Sequence, residues 1–322
     1  MGDRFLRKFN KGGIGLGVVA EQGSPLRGLR PFLAMGALFV VVDVLALLLV
    51  GPFSDAGLYA FEEAGDPVDV VYFVAMILVT TGVILALRRF KRGVFVKWVL
   101  RGAIGVSLFS TFYSLLWLAV GDPLALVASA VFSFVCVWVL VRWPRWYVID
   151  AAAILLGSVT TAVLGISLAA PLAAALLLLL AVYDAVSVYK TRHMLSLAEA
   201  ILNSGLPLVV IVPKEGNYRD GEKIEIVKGA PPGKGERRAF YMGLGDLVLP
   251  GCLAVSVYSA LGLRGLPVIC AVVLGTLLGF AVLSTFVAGG KPQAGLPFLC
   301  SGAVLGYVLS SYLLFGGLVG LG

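Results

Sequence analysis

The amino-acid sequence predicts an all-α polytopic membrane protein of nine transmembrane helices, with a small β-hairpin in the loop between helices 6 and 7. Three observations carry this. Apolar residues make up 60% of the 322 and charged residues 13%, and the mean hydropathy of +1.00 lies far above that of a water-soluble domain. The apolar residues fall into stretches of about 20, the length that crosses a bilayer core as a helix. One long polar insertion, 190–240, interrupts them, and the other connections are short.

In chain order the helices are predicted near 31–51, 69–87, 95–120, 123–141, 147–168, 170–189, 241–262, 265–288 and 295–318. The chain 1–322 then reads as a single membrane domain: helices 1–6 over 31–189, the loop 190–240, and helices 7–9 over 241–318. The first thirty residues are basic and Gly-rich without a short apolar core and small-residue cleavage site, so no removable signal peptide is expected. Cys136, Cys252, Cys270 and Cys300 stand singly in apolar stretches, which suits small hydrophobes better than a disulfide framework or a metal site.

The net charge of +7 does not require nucleic acid as a partner, because polytopic proteins concentrate Lys and Arg on their cytoplasmic side. With the N-terminus inside, 24 of the 25 basic residues fall on that side and only Arg264 outside. The N-terminus is therefore expected in the cytoplasm and the C-terminus outside. The odd number of spans follows as well, since adding or dropping one would scramble the alternation.

Within the cytoplasmic 190–240 loop, Met194, Leu197, Ala198 and Ile201 recur at helical spacing and stop at Gly205, predicting a short amphipathic helix on the membrane surface. Two strand-like runs follow, LVVIV at 208–212 and KIEIV at 223–227, separated by turn-rich sequence. They predict a hairpin. Its edge could pair with an extended substrate, or it could be a self-contained surface element.

Asp184 ends an apolar run, LLLLLAVYDAV, six residues before Lys190, and Asp246 follows Arg238 by eight. On consecutive antiparallel helices both lie about 9–12 Å from the cytoplasmic boundary. An Asp deep in a spanning helix costs about 2.5–3.5 kcal/mol on insertion scales, so each is a functional candidate. Either could merely bond a neighbouring helix; two at matched depth weaken that reading. Asp150 beside Arg145 reads as an interfacial pair or helix-start carboxylate. Asp43 lies at a depth that does not match the pair, and a polar partner among helices is its simplest role.

Two adjacent carboxyls can share one proton and hold a water between them. The ionised group then serves as general base, and the protonated one donates to the carbonyl oxygen under attack. That is peptide hydrolysis without a covalent intermediate. Other intramembrane chemistries lack their residues: the single His193 has no His-Glu-x-x-His pattern, and no Gly-x-Ser-x-Gly elbow is present. A second class of function stays open, a proton-coupled transporter or channel relaying through Asp43, Asp184 and Asp246.

Asp184 occurs as Tyr183-Asp184, and Asp246 closes Gly243-Leu244-Gly245-Asp246. With the loop between them, this resembles the presenilin and signal peptide peptidase family of intramembrane aspartyl proteases, whose sixth helix carries Tyr-Asp and seventh Gly-x-Gly-Asp. The family's Pro-Ala-Leu motif at the ninth helix is partly matched by Ala294-Gly295-Leu296-Pro297, with the first Pro missing and Ala replaced by Gly. The resemblance implies catalytic Asp184 and Asp246, supported by Tyr183, Gly243, Leu244, Gly245, Gly295, Leu296 and Pro297. Gly243 and Gly245 would let helix 6 or a substrate backbone approach Asp246 closely. It further implies single-pass transmembrane helices as substrates, the lipid bilayer as environment, no cofactor, metal or nucleic acid, and compatibility with a homo-oligomer. A prokaryotic presenilin-like homologue in the plasma membrane fits. GLGDLVLPG looks more like the peptidase branch, whereas the charge count orients the loop as in presenilins.

Overall fold

The computed structural model describes residues 25–61, 66–89, 93–143, 145–191, 209–213, 239–288 and 293–320. Helices dominate: α1 Pro25–Asp55, α2 Pro67–Arg89, α3 Gly93–Val120, α4 Leu124–Arg142, α5 Trp146–Ile166, α6 Ala170–Val186, α7 Leu244–Leu261, α8 Leu266–Ala288 and α9 Leu296–Phe315. Seven stretches among the described residues are long and apolar enough to cross a membrane. One of them, Leu244–Val287, is 44 residues long and contains α7 followed by most of α8, and α2 contributes a shorter apolar helix, Pro67–Thr80.

The bundle is built around α5 and α7. Leu253, Ala254, Val255 and Val257 of α7 are fully buried, as are Ala153, Thr161 and Ala162 of α5. Small residues allow the close approach. A Cβ on Gly165 would overlap Val255 and press on the Cys252 carbonyl, and one on Gly157 would lie 3.2 Å from Leu244. With Thr161 between them at four-residue spacing, these glycines give α5 a flat stripe for α7. The α8–α9 pair uses the same device, Gly275 and Gly279 against Gly302 and Gly306, so closely that a Cβ on any of the four would overlap the facing backbone. In a bilayer, where burial away from water does not drive helices together, such contacts supply the dispersion energy of association. Around this centre lie α1 and α6, with α3 and α4 paired at the periphery.

The sheet differs from expectation. β1, Val209–Pro213, pairs antiparallel with β2, Ala239–Gly243, in the register Val210 to Met242 and Val212 to Phe240. The run 223–227, expected as the hairpin partner, and the amphipathic helix expected over 194–201 lie outside the described residues. The seventh helix, expected from 241, starts at Leu244, because AFYMG is an aromatic, strand-favouring run and is drawn into pairing with β1. Nor is the sheet a surface element. Val210, Ile211 and Val212 are buried, and Val210 packs in a core with Met35, Phe39 and Leu247.

Asp150 explains how β1 is held. It is buried, and its Oδ1 accepts the Ile211 backbone N–H at 2.8 Å. Expected in an interfacial pair with Arg145 or as a helix-start carboxylate, it also fastens a strand residue 61 positions away in the chain. Trp138, Trp143, Trp146 and Tyr147 cluster at the nearby α4–α5 connection, the aromatic signature of a membrane–water boundary.

Candidate active site

Three helix ends and one strand end meet near this boundary. Asp184 lies two residues before the end of α6, buried, after which the chain widens into a π-helical turn, Ser187–Thr191. Asp246 is the third residue of α7 and half-buried. It therefore sits in the first turn of its helix, not deep within it as expected, because β2 occupies the residues read as the helix start. Gly243 is the N-cap, and its backbone N–H donates to the Asp246 carboxylate, the reciprocal half of a capping box.

The start of α9 joins the two carboxyls. Asp184 Oδ2 accepts the Leu296 N–H at 3.2 Å, and the Gly295 N–H also donates to it. These are among the first donors of α9, which have no carbonyl within their own helix, and Pro297 in the same turn supplies none. On the other side of Gly295 stands Asp246: a Cβ built on Gly295 would lie 3.0 Å from its Oδ2 and 3.5 Å from its Oδ1. One residue, Gly295, thus touches both carboxyls, which lie within electrostatic reach of each other. Tyr189 ties the same region together from the π turn, its hydroxyl donating to Gln293 Oε1 at 2.7 Å.

Of the two neighbours that Gly243 and Gly245 were expected to admit, helix 6 or a substrate backbone, helix 6 is not found beside them. A Cβ on Gly245 would meet nothing within 4 Å among the described residues, and one on Gly243 only the Asp246 carboxylate at 3.6 Å. Neither admits α6. Gly245 instead borders open space beside Asp246, and the tight approach belongs to Gly295. Leu244 packs under the site, near Gly157 of α5, and Tyr183 is half-buried next to Asp184. Sequence reasoning missed Cys300, whose buried thiol lies one turn into α9 within electrostatic reach of both aspartates. A single Cys in an apolar helix carries no signal of such a place. Among the described residues no cluster of His, Cys, Asp and Glu could hold a metal ion.

Residues 36–316 match the family model for signal-peptide peptidase, presenilin aspartyl protease. The chain belongs to this family. Its aspartyl protease fold is similar to two solved structures, both described as a presenilin family intramembrane aspartate protease. One, in space group P2, is 32% identical with a TM-score of 0.64 over 88% of this chain and 98% of that one. The other, in space group C222, is 30% identical with a TM-score of 0.65 over 88% of this chain and 99% of that one. A comparison with the curated proteins finds no match. Family membership accounts for the Tyr-Asp and Gly-x-Gly-Asp pairing across two helices. Gly295, at the position where the motif has Ala, is where an added Cβ would come within 3.0 Å of Asp246.

Proposed function

We propose that the protein hydrolyses peptide bonds within transmembrane segments, with Asp184 and Asp246 as the catalytic pair. The observation that carries this reading is the convergence of both carboxyls on Gly295 at one end of the bundle. One proton is shared between them. The ionised carboxylate takes a proton from a water held between the two, the water oxygen bonds to the scissile carbonyl carbon, and the protonated carboxyl gives its proton to the carbonyl oxygen. Collapse of the tetrahedral intermediate expels the amine, which leaves with a proton returned from the pair. Backbone N–H groups of Gly295 and Leu296 orient Asp184, and that of Gly243 orients Asp246.

A substrate helix must unwind before its carbonyl is accessible, because its peptide groups are shielded by their own hydrogen bonds. Strand pairing would satisfy the freed groups. The β1 edge is not free for this, since the outward Ile211 N–H is taken by Asp150. Among the described residues no strand lies on the other side of β2. Successive N–H groups of a strand point to opposite edges, so with Met242 and Phe240 facing β1, Tyr241 presents its N–H at the open edge, while the next one there, of Gly243, is taken by Asp246. That edge ends at Asp246, where a paired substrate would meet the carboxyls.

Nine membrane crossings with the N-terminus and the 190–240 loop in the cytoplasm and the C-terminus outside complete the proposal. The lone Arg264 outside supports the orientation, and two helices in the 44-residue apolar stretch, together with α2, support the crossing number. The transporter alternative has no observation in its favour. The decisive experiment incubates purified full-length protein with a reporter transmembrane peptide. Asp184→Ala and Asp246→Ala should each lower cleavage at least about 100-fold while the protein remains folded. Full activity in either variant removes the pair from the mechanism, and ion flux without cleavage would replace the protease with a transporter.

A further inference from the structure

Asp43 is a buried carboxyl that the proposed reaction does not use. It lies on α1, is 4% exposed, and its Oδ1 has no hydrogen-bond partner among the described residues. The shape of its surroundings gives it a task. Oδ1 fills the notch that the missing side chain of Gly251 leaves in α7: a Cβ built there would overlap it, and would lie 2.9 Å from Thr161 Cγ2 of α5. Gly251 follows Pro250, which has no N–H to offer the carbonyl of Asp246 four residues earlier. The α7 hydrogen-bond ladder is therefore interrupted between the aspartate and the notch, where a helix bends most easily. From α5, Thr161 Oγ1 reaches the Val248 carbonyl at 3.4 Å within the same turn. The softened turn of α7 is thus gripped from both sides, by α1 at Gly251 and by α5 at Val248.

We propose that Asp43 is a positioning residue, a wedge seated against Gly251 that fixes the course of α7 past Pro250 and so holds Asp246 facing Asp184 across Gly295. The proposal rests on the catalytic reading of Asp246. The wedge acts by shape, so an amide of the same outline can replace the acid, whereas removal of the side chain lets α7 relax and misplaces Asp246.

The test uses full-length protein in lipid nanodiscs, a transmembrane reporter peptide, and an aspartyl-directed transition-state inhibitor to titrate competent sites. Asp43→Ala should lower kcat per titrated site by about 10- to 100-fold with KM within a factor of about two, the signature of misplaced catalytic groups. Asp43→Asn should restore most of the rate. Gly251→Ala, which crowds the notch from the opposite side, should match Asp43→Ala. Combining Asp43→Ala and Gly251→Ala with Thr161→Ser, which clears the facing methyl and keeps the hydroxyl, should recover kcat because the new methyl refills the notch. An unchanged kcat per site in Asp43→Ala, with only fewer titratable sites or a lower Tm, would reduce Asp43 to packing and overturn the proposal. Asn as poor as Ala would overturn it too, by demanding an ionisable group. Absence of cleavage by the wild-type protein would instead remove the protease reading itself, so the two failures are distinguishable.

Discussion

Gly295 is the residue on which the two carboxyls of this family member depend most directly. Its N–H serves Asp184 and the space beside its Cα serves Asp246. Added carbon therefore acts on one carboxyl without removing a hydrogen bond to the other. Gly295→Ala places a methyl 3.0 Å from Asp246 Oδ2, which the carboxyl can relieve by turning a few tenths of an ångström. A several-fold loss of kcat is expected. Gly295→Val adds two further carbons that a small rotation cannot accommodate, and should cost about 100-fold, the effect of misplacing a reacting group by about 1 Å. Cleavage of the reporter peptide at saturating concentration measures both. Equal rates in the two variants would show that Asp246 is not confined by this contact. Gly102→Ala on peripheral α3 is the matched control, because its methyl would enter open space among the described residues away from the site.

At the scale of elements, the sheet is held from one side and open on the other. Removing the acceptor with Asp150→Leu leaves the buried Ile211 N–H without a partner, at a cost of about 1–3 kcal/mol. Thermal unfolding in detergent should register it as a lower Tm, and cleavage of long transmembrane peptides should fall with the loosened sheet. Tyr241→Pro probes the open edge. It removes an N–H that faces away from β1, so the β1–β2 ladder stays intact while an added strand loses a donor. Cleavage of a long peptide should drop much more than the affinity of a small aspartate-directed inhibitor. A parallel fall in both would mean a distorted site, and no fall in either would mean that substrate does not pair with β2. The α8–α9 seam gives a third element-scale outcome. Gly302→Leu forces the helix backbones apart where a single Cβ already overlaps the Gly275 carbonyl, and should destabilise by about 1–3 kcal/mol or more in the same unfolding assay.

For the whole molecule, the proposed orientation predicts the side on which the site opens. The end of α6, the start of α7, the start of α9 and the sheet gather at one end of the bundle, and the 190–240 segment that joins α6 to α7 in sequence is rich in Lys and Arg. Reporters or single cysteines introduced within 214–238 should be accessible from the cytoplasm only, and a reporter at Gly322 from outside only. A labelling map with the loop outside would reverse the orientation and with it the side from which water and substrate reach Asp184 and Asp246.

The helical segments and the family were legible in the sequence, and the two aspartates proposed as the pair stood out there, because each rests on local chemistry. A bilayer demands about 20 apolar residues per crossing, and a carboxylate inside such a run is expensive enough to stand out. The Pro-Ala-Leu variant was visible as a departure, but not its meaning, since only folding brings Gly295 between the two carboxyls. Three other features were decided by tertiary contact alone. Asp150 bonds Ile211 across sixty-one positions. β1 pairs with the residues just before α7, so Asp246 enters the first turn of its helix. Asp43 settles against a glycine on another helix. Local pattern reports what a segment can bury and what it cannot afford to bury; which partner satisfies a strand edge or fills a notch is fixed by packing between segments far apart in the chain.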